Sequence, residues 1–191
     1  MNTEKNNIRA FFAIDLPDEI KALISESIKP LHSAYKRGAI SWVKFENLHI
    51  TLQFIEAVDH DDIALLIERV REKLVLIKPF PLSLTTLELF PTPDRPHIIS
   101  LNIMPHEALS ALAECLRQGI KSCGYPVESR PFRGHLTLGR IKDDRLKIEL
   151  EKVSLPSFPE FSVREVVLYR SELAREGSNY FPLATFSLQE N

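Results

Sequence analysis

Two short segments carry residues whose types and spacing fit a single kind of chemistry. Asn47-Leu-His-Ile-Thr-Leu-Gln-Phe54 is echoed in outline by Arg133-Gly-His-Leu-Thr-Leu-Gly-Arg140, so His49/Thr51 and His135/Thr137 form matched His-x-Thr pairs. With six His and seven Thr in 191 residues, chance supplies about 0.2 such triplets. Two of them, each with an aliphatic centre and each followed by Leu, make accident a poor explanation. Side chains on a strand alternate between faces. His49 and Thr51 therefore share one face while Ile50 and Leu52 take the other, and His135 and Thr137 oppose Leu136 and Leu138 in the same way. Two such strands facing each other would make a cleft with two imidazoles and two hydroxyls, and no carboxylate among them.

That set suits in-line displacement at phosphorus, in which the entering and leaving oxygens occupy opposite apices. One group must take a proton from the entering oxygen and another must give one to the departing oxygen. Histidine serves both purposes because it titrates near neutrality. The two rings must stand on opposite sides of the phosphorus, which one strand cannot arrange and two can. Threonine hydroxyls can donate to the equatorial oxygens, and a β-branched side chain is stiff and at home in a strand. No metal is required by this scheme, and the residues alone do not say which His is acid and which is base.

Position five after each His holds Phe54 and Arg140. These two are expected to enclose a nucleotide base, ring on one side and guanidinium on the other. Strict alternation puts both on the face away from the histidines, so the expectation needs a bulge or a strand end, which Gly139 could supply for Arg140. For Phe54 a core position is an equal alternative. Arg130 and Arg133 flank the second motif and are candidates for further phosphates, with a solvated loop charge as the competing reading. Lys44 is a weaker candidate of the same kind. His32, His60, His97 and His106 lack a repeated context, and Asp59-His60-Asp61-Asp62 reads as a helix start rather than a metal cluster.

Elements that could position these residues are legible on both sides of each motif. Arg9 to Asp15 reads as a buried strand, and Pro17-Asp18-Glu19 as a helix start. Apolar residues at Ile20, Leu23, Ile24, Ile28 and Leu31 predict one amphipathic helix from Ile20 to about Tyr35. Strands are expected at 41–43 and 48–55, a helix at 59–77, and strands at 80–90 and 98–103 across a Pro91, Pro93, Pro96 loop. A helix over about 107–123 ends at Gly124. Strands at 135–141, 163–169 and 180–188 complete the chain, with a proline-bounded loop near 155–159. Helices and strands are mixed without a βαβ rhythm and without a Gly-rich phosphate loop, so the fold class is α+β. The 86-residue separation of His49 and His135 is close to half the chain and fits a duplicated lobe.

Composition is that of a soluble globular protein, with 44% hydrophobic and 26% charged residues, and its length suits a single domain, 1–191. The run Phe11 to Ile14 is too short to span a bilayer, and no secretion signal is read. Cys115 and Cys123, eight apart, are too far separated for a disulfide on one helix, which points to free thiols in a reducing cytoplasm. A formal net charge of −2 disfavours a protein that coats nucleic acid by bulk electrostatics and favours local grip at an end or a single nucleotide.

At the two His-x-Thr segments the chain resembles the two-histidine phosphoesterases, and more closely the RNA 2′,3′-cyclic phosphodiesterases, historically called 2′-5′ RNA ligases. The resemblance runs through Arg9-Ala-Phe-Phe-Ala-Ile-Asp-Leu-Pro17, Trp42 to Phe54, Arg130 to Arg140, and Val167-Leu-Tyr-Arg-Ser171. It departs at Phe54-Ile55-Glu56, where the family usually has Phe-Leu-Gly, and at Gly134, where it often has Pro. The resemblance implies two pseudo-symmetric lobes of antiparallel sheet with outer helices and a central cleft. It implies metal-independent hydrolysis of a 2′,3′-cyclic phosphate at an RNA end, or on a cyclic nucleotide, to a 2′-phosphomonoester. By that resemblance His49 is the proton donor and His135 the proton acceptor, with Thr51 and Thr137 beside them. A cytoplasmic monomer without cofactor is expected. Three rivals remain at this point: 2′-5′ RNA ligation by the same residues run in reverse, a catalytically idle RNA- or nucleotide-binding module, and a metallohydrolase.

Overall fold

The computed structural model describes residues 6–143, 145–150, 153–174 and 177–189. Strand β1 (Asn7–Asp15) buries five residues in succession, Ala10 to Ile14. An unbroken apolar run is what a strand needs when it has neighbours on both edges and cover on both faces. Helix α1 (Asp18–Ser27) follows, and α2 (Lys29–Ala34) follows that. The single helix expected from Ile20 to Tyr35 is thus split at Ile28. Pro30 has no N–H to continue the α1 ladder and sits in the first turn of α2, where that missing donor is tolerated.

Strand β2 (Ile40–Trp42) leads through a short 3-10 turn at Phe45–Asn47 into β3 (His49–Asp59), which ends four residues beyond the expected 55. At its end Asp59 Oδ1 accepts from the Asp61 N–H at 3.2 Å and caps a second 3-10 turn before α3 (Ile63–Leu74). Strands β4 (Phe80–Phe90) and β5 (Ile98–Met104), helix α4 (His106–Ser122) and strand β6 (His135–Ile141) come where the periodicity places them. Gly124, at φ 82°, turns the chain out of α4. The strand expected over 163–169 is in fact two: β7 (Phe161–Val163) and β8 (Glu165–Ala174), parted at Arg164 and belonging to different sheets. Strand β9 (Gly177–Ser187) pairs with β8.

Every pairing among the described residues is antiparallel, in two sheets ordered β3-β1-β8-β9 and β2-β6-β5-β4-β7. With four helices beside them, the fold is α+β. The sheets do not follow the halves of the chain. The first takes two strands from the N-terminal part and two from the C-terminal part, and the second takes everything between except β3. The 86-residue echo therefore relates one strand of each sheet rather than two consecutive lobes of sequence. One buried apolar cluster runs through both sheets and all four helices. Helices α3 and α4 cross where a Cβ on Gly119 would come within 2.9 Å of Val70 Cγ2, so close approach is paid for by the absent side chain. Helix α4 rests on β3, and β3 in turn lies against β6.

Candidate active site

Pairing of β1 with β3 sets Asp15 opposite His49, Ala13 opposite Thr51 and Phe11 opposite Phe54. All three β1 residues are odd-numbered and so share a face, and so therefore do His49, Thr51 and Phe54. The odd offset between Thr51 and Phe54 is absorbed by a bulge at Leu52–Gln53, where the register shifts. Both bulge residues are buried, and Gln53 Nε2 donates to the Ala113 carbonyl of α4 at 3.3 Å. Strand β6 repeats the device. His135, Thr137 and Arg140 stand opposite Asn102, Ser100 and Ile98 of β5, again one face, with the shift at Leu138. Gly139 completes this second bulge because a Cβ there would sit 2.8 Å from Ile40 Cγ2 and 2.8 Å from Trp42 Cε3.

The two faces meet in one cavity of about 180 Å³, lined by His49, Thr51 and Phe54 from β3 and by Thr137 and Arg140 from β6. Phe54 is 37% exposed, so it is a wall of this cavity and not a core residue. Arg9 from β1 lies 5.2 Å from its ring centroid. His135 stands just outside that lining. Its ring stacks on Phe90 at 4.3 Å and 26°, and the Arg140 guanidinium acts on it as it acts on His49. Arg140 thus lies within electrostatic reach of both imidazoles.

Each ring is oriented in the same manner. The Nδ1–H of His49 donates to the carbonyl of Asn47 at 2.8 Å, and that of His135 to the carbonyl of Arg133 at 2.9 Å, in each case two residues back. Nε2 is then the nitrogen left for proton transfer in both rings, and at His49 it lies 3.0 Å from Thr51 Oγ1. Phe11 backs His49 at 4.9 Å and Tyr180 meets it edge-on at 5.2 Å. Burial pushes both imidazoles below the ordinary value of 6.5. The Asn47 carbonyl and Asp15 raise His49 in part, the Arg133 carbonyl and Glu88 raise His135 in part, and Arg140 adds to the lowering at each. Asp15 is itself held by the Tyr169 hydroxyl, which donates to Oδ2 at 2.6 Å.

Arg133 and Arg130 lie elsewhere. The Arg133 guanidinium bonds to the Pro91 carbonyl at 3.0 Å and to Glu88 Oε2 at 3.3 Å, and covers the Phe90 ring at 4.6 Å. Arg130 is paired with Glu128 at 2.7 Å beside a different cavity that includes Gln53 and Arg117. Sequence reasoning missed Arg9, Phe11, Asn47, Ser171, Ser178 and Tyr180, all of which line the central cavity. Arg9 and Phe11 share the parity of Asp15, but only the pairing register shows that this parity faces His49. Ser178 and Tyr180 arrive from β9, more than 125 residues away in sequence, with no local signal.

The family model for the 2′-5′ RNA ligase superfamily matches residues 16–175. The chain belongs to this superfamily. It is 31% identical over 181 residues to an RNA 2′,3′-cyclic phosphodiesterase of Archaeoglobus fulgidus, covering 94% of this chain and 99% of that one. To the RNA 2′,3′-cyclic phosphodiesterase of Escherichia coli it is 31% identical over 187 residues, covering 95% and 97%. The structure of Escherichia coli LigT complexed with 3′-AMP superposes with a TM-score of 0.78 at 28% identity, over 97% of this superfamily member and all of LigT.

Proposed function

We propose that the protein is an RNA 2′,3′-cyclic phosphodiesterase that opens a cyclic phosphate at an RNA end, or on a nucleotide, to a 2′-phosphomonoester. The observation that carries the reading is the matched anchoring of two imidazoles. Both are fixed through Nδ1 by the carbonyl two residues back, which leaves Nε2 available in each, and the reading takes the two as working on one phosphorus. The relatives named above bear the same activity in their names.

In this mechanism His135 Nε2 takes a proton from water as the water oxygen bonds to phosphorus. The bond from phosphorus to the 3′ oxygen breaks, and His49 in its charged form gives the 3′ oxygen its proton. The assignment of donor and acceptor follows the family resemblance. The hydroxyls of Thr51 and Thr137, with Arg140, hold the equatorial oxygens, and the terminal base lies between Phe54 and Arg140. Arg130 and Arg133 are not assigned as ligands of the reacting phosphate in this reading, since neither lines the central cavity and each guanidinium is paired with a glutamate. Arg133 serves instead through its carbonyl. No step needs a metal or cofactor. The same reading takes residues 1–191 as one domain acting as a monomer in the cytoplasm. The apolar core shared by both sheets supports the first part, and two free, half-buried cysteines fit a reducing compartment. No helix among the described residues is long and apolar enough to cross a membrane.

Incubation with EDTA and a nucleoside 2′,3′-cyclic phosphate tests the proposal. Formation of the 2′-monophosphate alone is expected. Turnover that stops with EDTA, or a 3′-monophosphate as product, would overturn it.

A further inference from the structure

The central cavity continues past Arg140 into a second lobe of about 150 Å³, comparable to the 180 Å³ of the first. The two lobes share Asn47, Arg140 and Tyr180 as common walls, and the second adds Ser41 and Lys44 on one side and Gly177 on the other. Among the described residues no carboxylate lines either lobe, and Arg9, Arg140 and Lys44 have no carboxylate partner. Cavities elsewhere are different. The groove beside Arg117 and Arg130 also holds Glu114 and Glu128, and the groove beside Lys78 and Arg164 holds Glu160. A protein with a net charge of −2 has thus gathered cations without counter-charge in one continuous groove. More positive charge lies there than a single cyclic phosphate, with one negative charge, would call for.

We propose that the second lobe is a subsite for the phosphodiester on the 5′ oxygen of the terminal nucleoside, the link to the preceding residue of an RNA strand, with Lys44 as its specific ligand and Arg140 shared between the two phosphates. The backbone around Lys44 is built for a fixed position. The Val43 N–H donates to the Leu138 carbonyl at 2.8 Å, inside the second bulge, and the Asn47 N–H donates to the Lys44 carbonyl at 2.9 Å. Asn47 Nδ2 then reaches across to the Ser178 carbonyl at 2.9 Å, tying the Lys44 segment to the opposite wall. Ser41 stands opposite Arg140 in the β2–β6 pairing, on the same face. Phosphate contacts of this kind position a strand without reading its sequence, so the subsite lengthens the substrate and adds no base preference.

This inference rests on the phosphodiesterase reading, and its test separates the two. The quantity measured is the ratio of kcat/KM for a dinucleotide ending in a 2′,3′-cyclic phosphate to that for the matching nucleoside 2′,3′-cyclic phosphate. For the unaltered protein a ratio of about 5 to 10 is expected, the effect of a few exposed charge-assisted contacts. Lys44→Ala should bring the ratio below about 2, while Lys44→Arg keeps it. The dependence of log KM for the dinucleotide on log salt should flatten by roughly 0.7 in Lys44→Ala, one single-strand phosphate contact. Equal rates on the two substrates, or an unchanged ratio in Lys44→Ala, would overturn the subsite and leave the phosphodiesterase reading standing. Hydrolysis of neither substrate would overturn both.

Discussion

Replacing Gly139 by alanine puts the second bulge under a load that can be worked out from the structure. A Cβ at this position would meet Ile40 Cγ2 at 2.8 Å, Trp42 Cε3 at 2.8 Å and Trp42 Cζ3 at 3.1 Å. None of these is the loose end of a flexible chain. Ile40 is β-branched and 5% exposed, and the Trp42 ring lies tilted against His32 at 4.2 Å. The strain must pass into the backbone of β2 or β6, and overpacking of this kind costs about 1–3 kcal/mol. For a chain of this size that corresponds to a fall in melting temperature of roughly 2–12 °C. Trp42 pairs with Gly139 and Ser41 with Arg140, so the same displacement carries Thr137 and Arg140 with it. Misplacement by about 1 Å costs on the order of 100-fold in rate, and a loss of kcat/KM between about 10- and 100-fold is expected on a cyclic nucleotide. Gly134→Ala supplies the comparison. Its Cβ would meet Ile103 Cδ1 at 3.1 Å, Phe132 Cε1 at 3.2 Å and Ile103 Cγ1 at 3.4 Å, contacts a few tenths of an ångström longer than those at Gly139, so a smaller cost, about 1 kcal/mol, is expected. Thermal melts followed by circular dichroism and steady-state assays on both variants decide the matter. If Gly139→Ala melts and turns over like the unaltered protein, the bulge does not aim the second motif.

His49→Ala and His135→Ala should each lower kcat by about 100- to 10,000-fold with little change in KM, and the double variant should fall by far less than the product of the two; full activity in either would favour a binding module. Burial lowers both imidazoles from 6.5, so kcat/KM should trace a bell whose summit lies on the acid side of that value, falling on the alkaline limb as the donor loses its proton; a summit on the alkaline side would contradict the assignment of acid and base to these two rings. The same lowering bears on stability. A neutral buried ring favours the fold fully above pH 6.5, and that contribution is lost as pH falls from the unfolded value through the depressed folded one. Urea midpoints should therefore be flat above neutrality and decline below pH 6.5, and a His49→Gln, His135→Gln variant should show a shallower decline.

Much of the site was legible because strand alternation is a local rule. From the sequence alone, His49 with Thr51 and His135 with Thr137 could be set on the faces away from Ile50, Leu52, Leu136 and Leu138, and the structure buries all four aliphatic residues. The break of the first helix was also written in the chain, at Pro30, but the apolar stripe running through Ile28 and Leu31 overrode it. What could not be read was non-local. Nothing at Arg164 marks the point where a strand leaves one sheet for the other, because no residue there is a breaker and only the pairing partners differ. For the same reason Asp15, Phe11, Tyr169 and Tyr180 were invisible as the surroundings of His49. Their place depends on which strand lies beside which, and on the register between them.

The two bulges carry a stricter requirement than resemblance between the motifs. A regular strand presents every second residue to a given face. A motif that must present residues at offsets of zero, two and five from the histidine cannot be a regular strand, because the last offset is odd. One extra residue has to be taken up between the second and the third, and in both strands the shift falls there, at Leu52–Gln53 and at Leu138–Gly139. The two solutions differ in what holds them. Gln53 is anchored by its amide to α4 at 3.3 Å, whereas Gly139 is held by contact with β2 over a missing side chain. While Gln53 and Gly139 hold the bulges in place, moving Phe54 or Arg140 by one position in sequence would turn the ring or the guanidinium to the face away from the cavity. An insertion or deletion between Thr51 and Phe54, or between Thr137 and Arg140, should therefore be far more damaging than one of equal length in the 91–97 loop, where no parity is at stake.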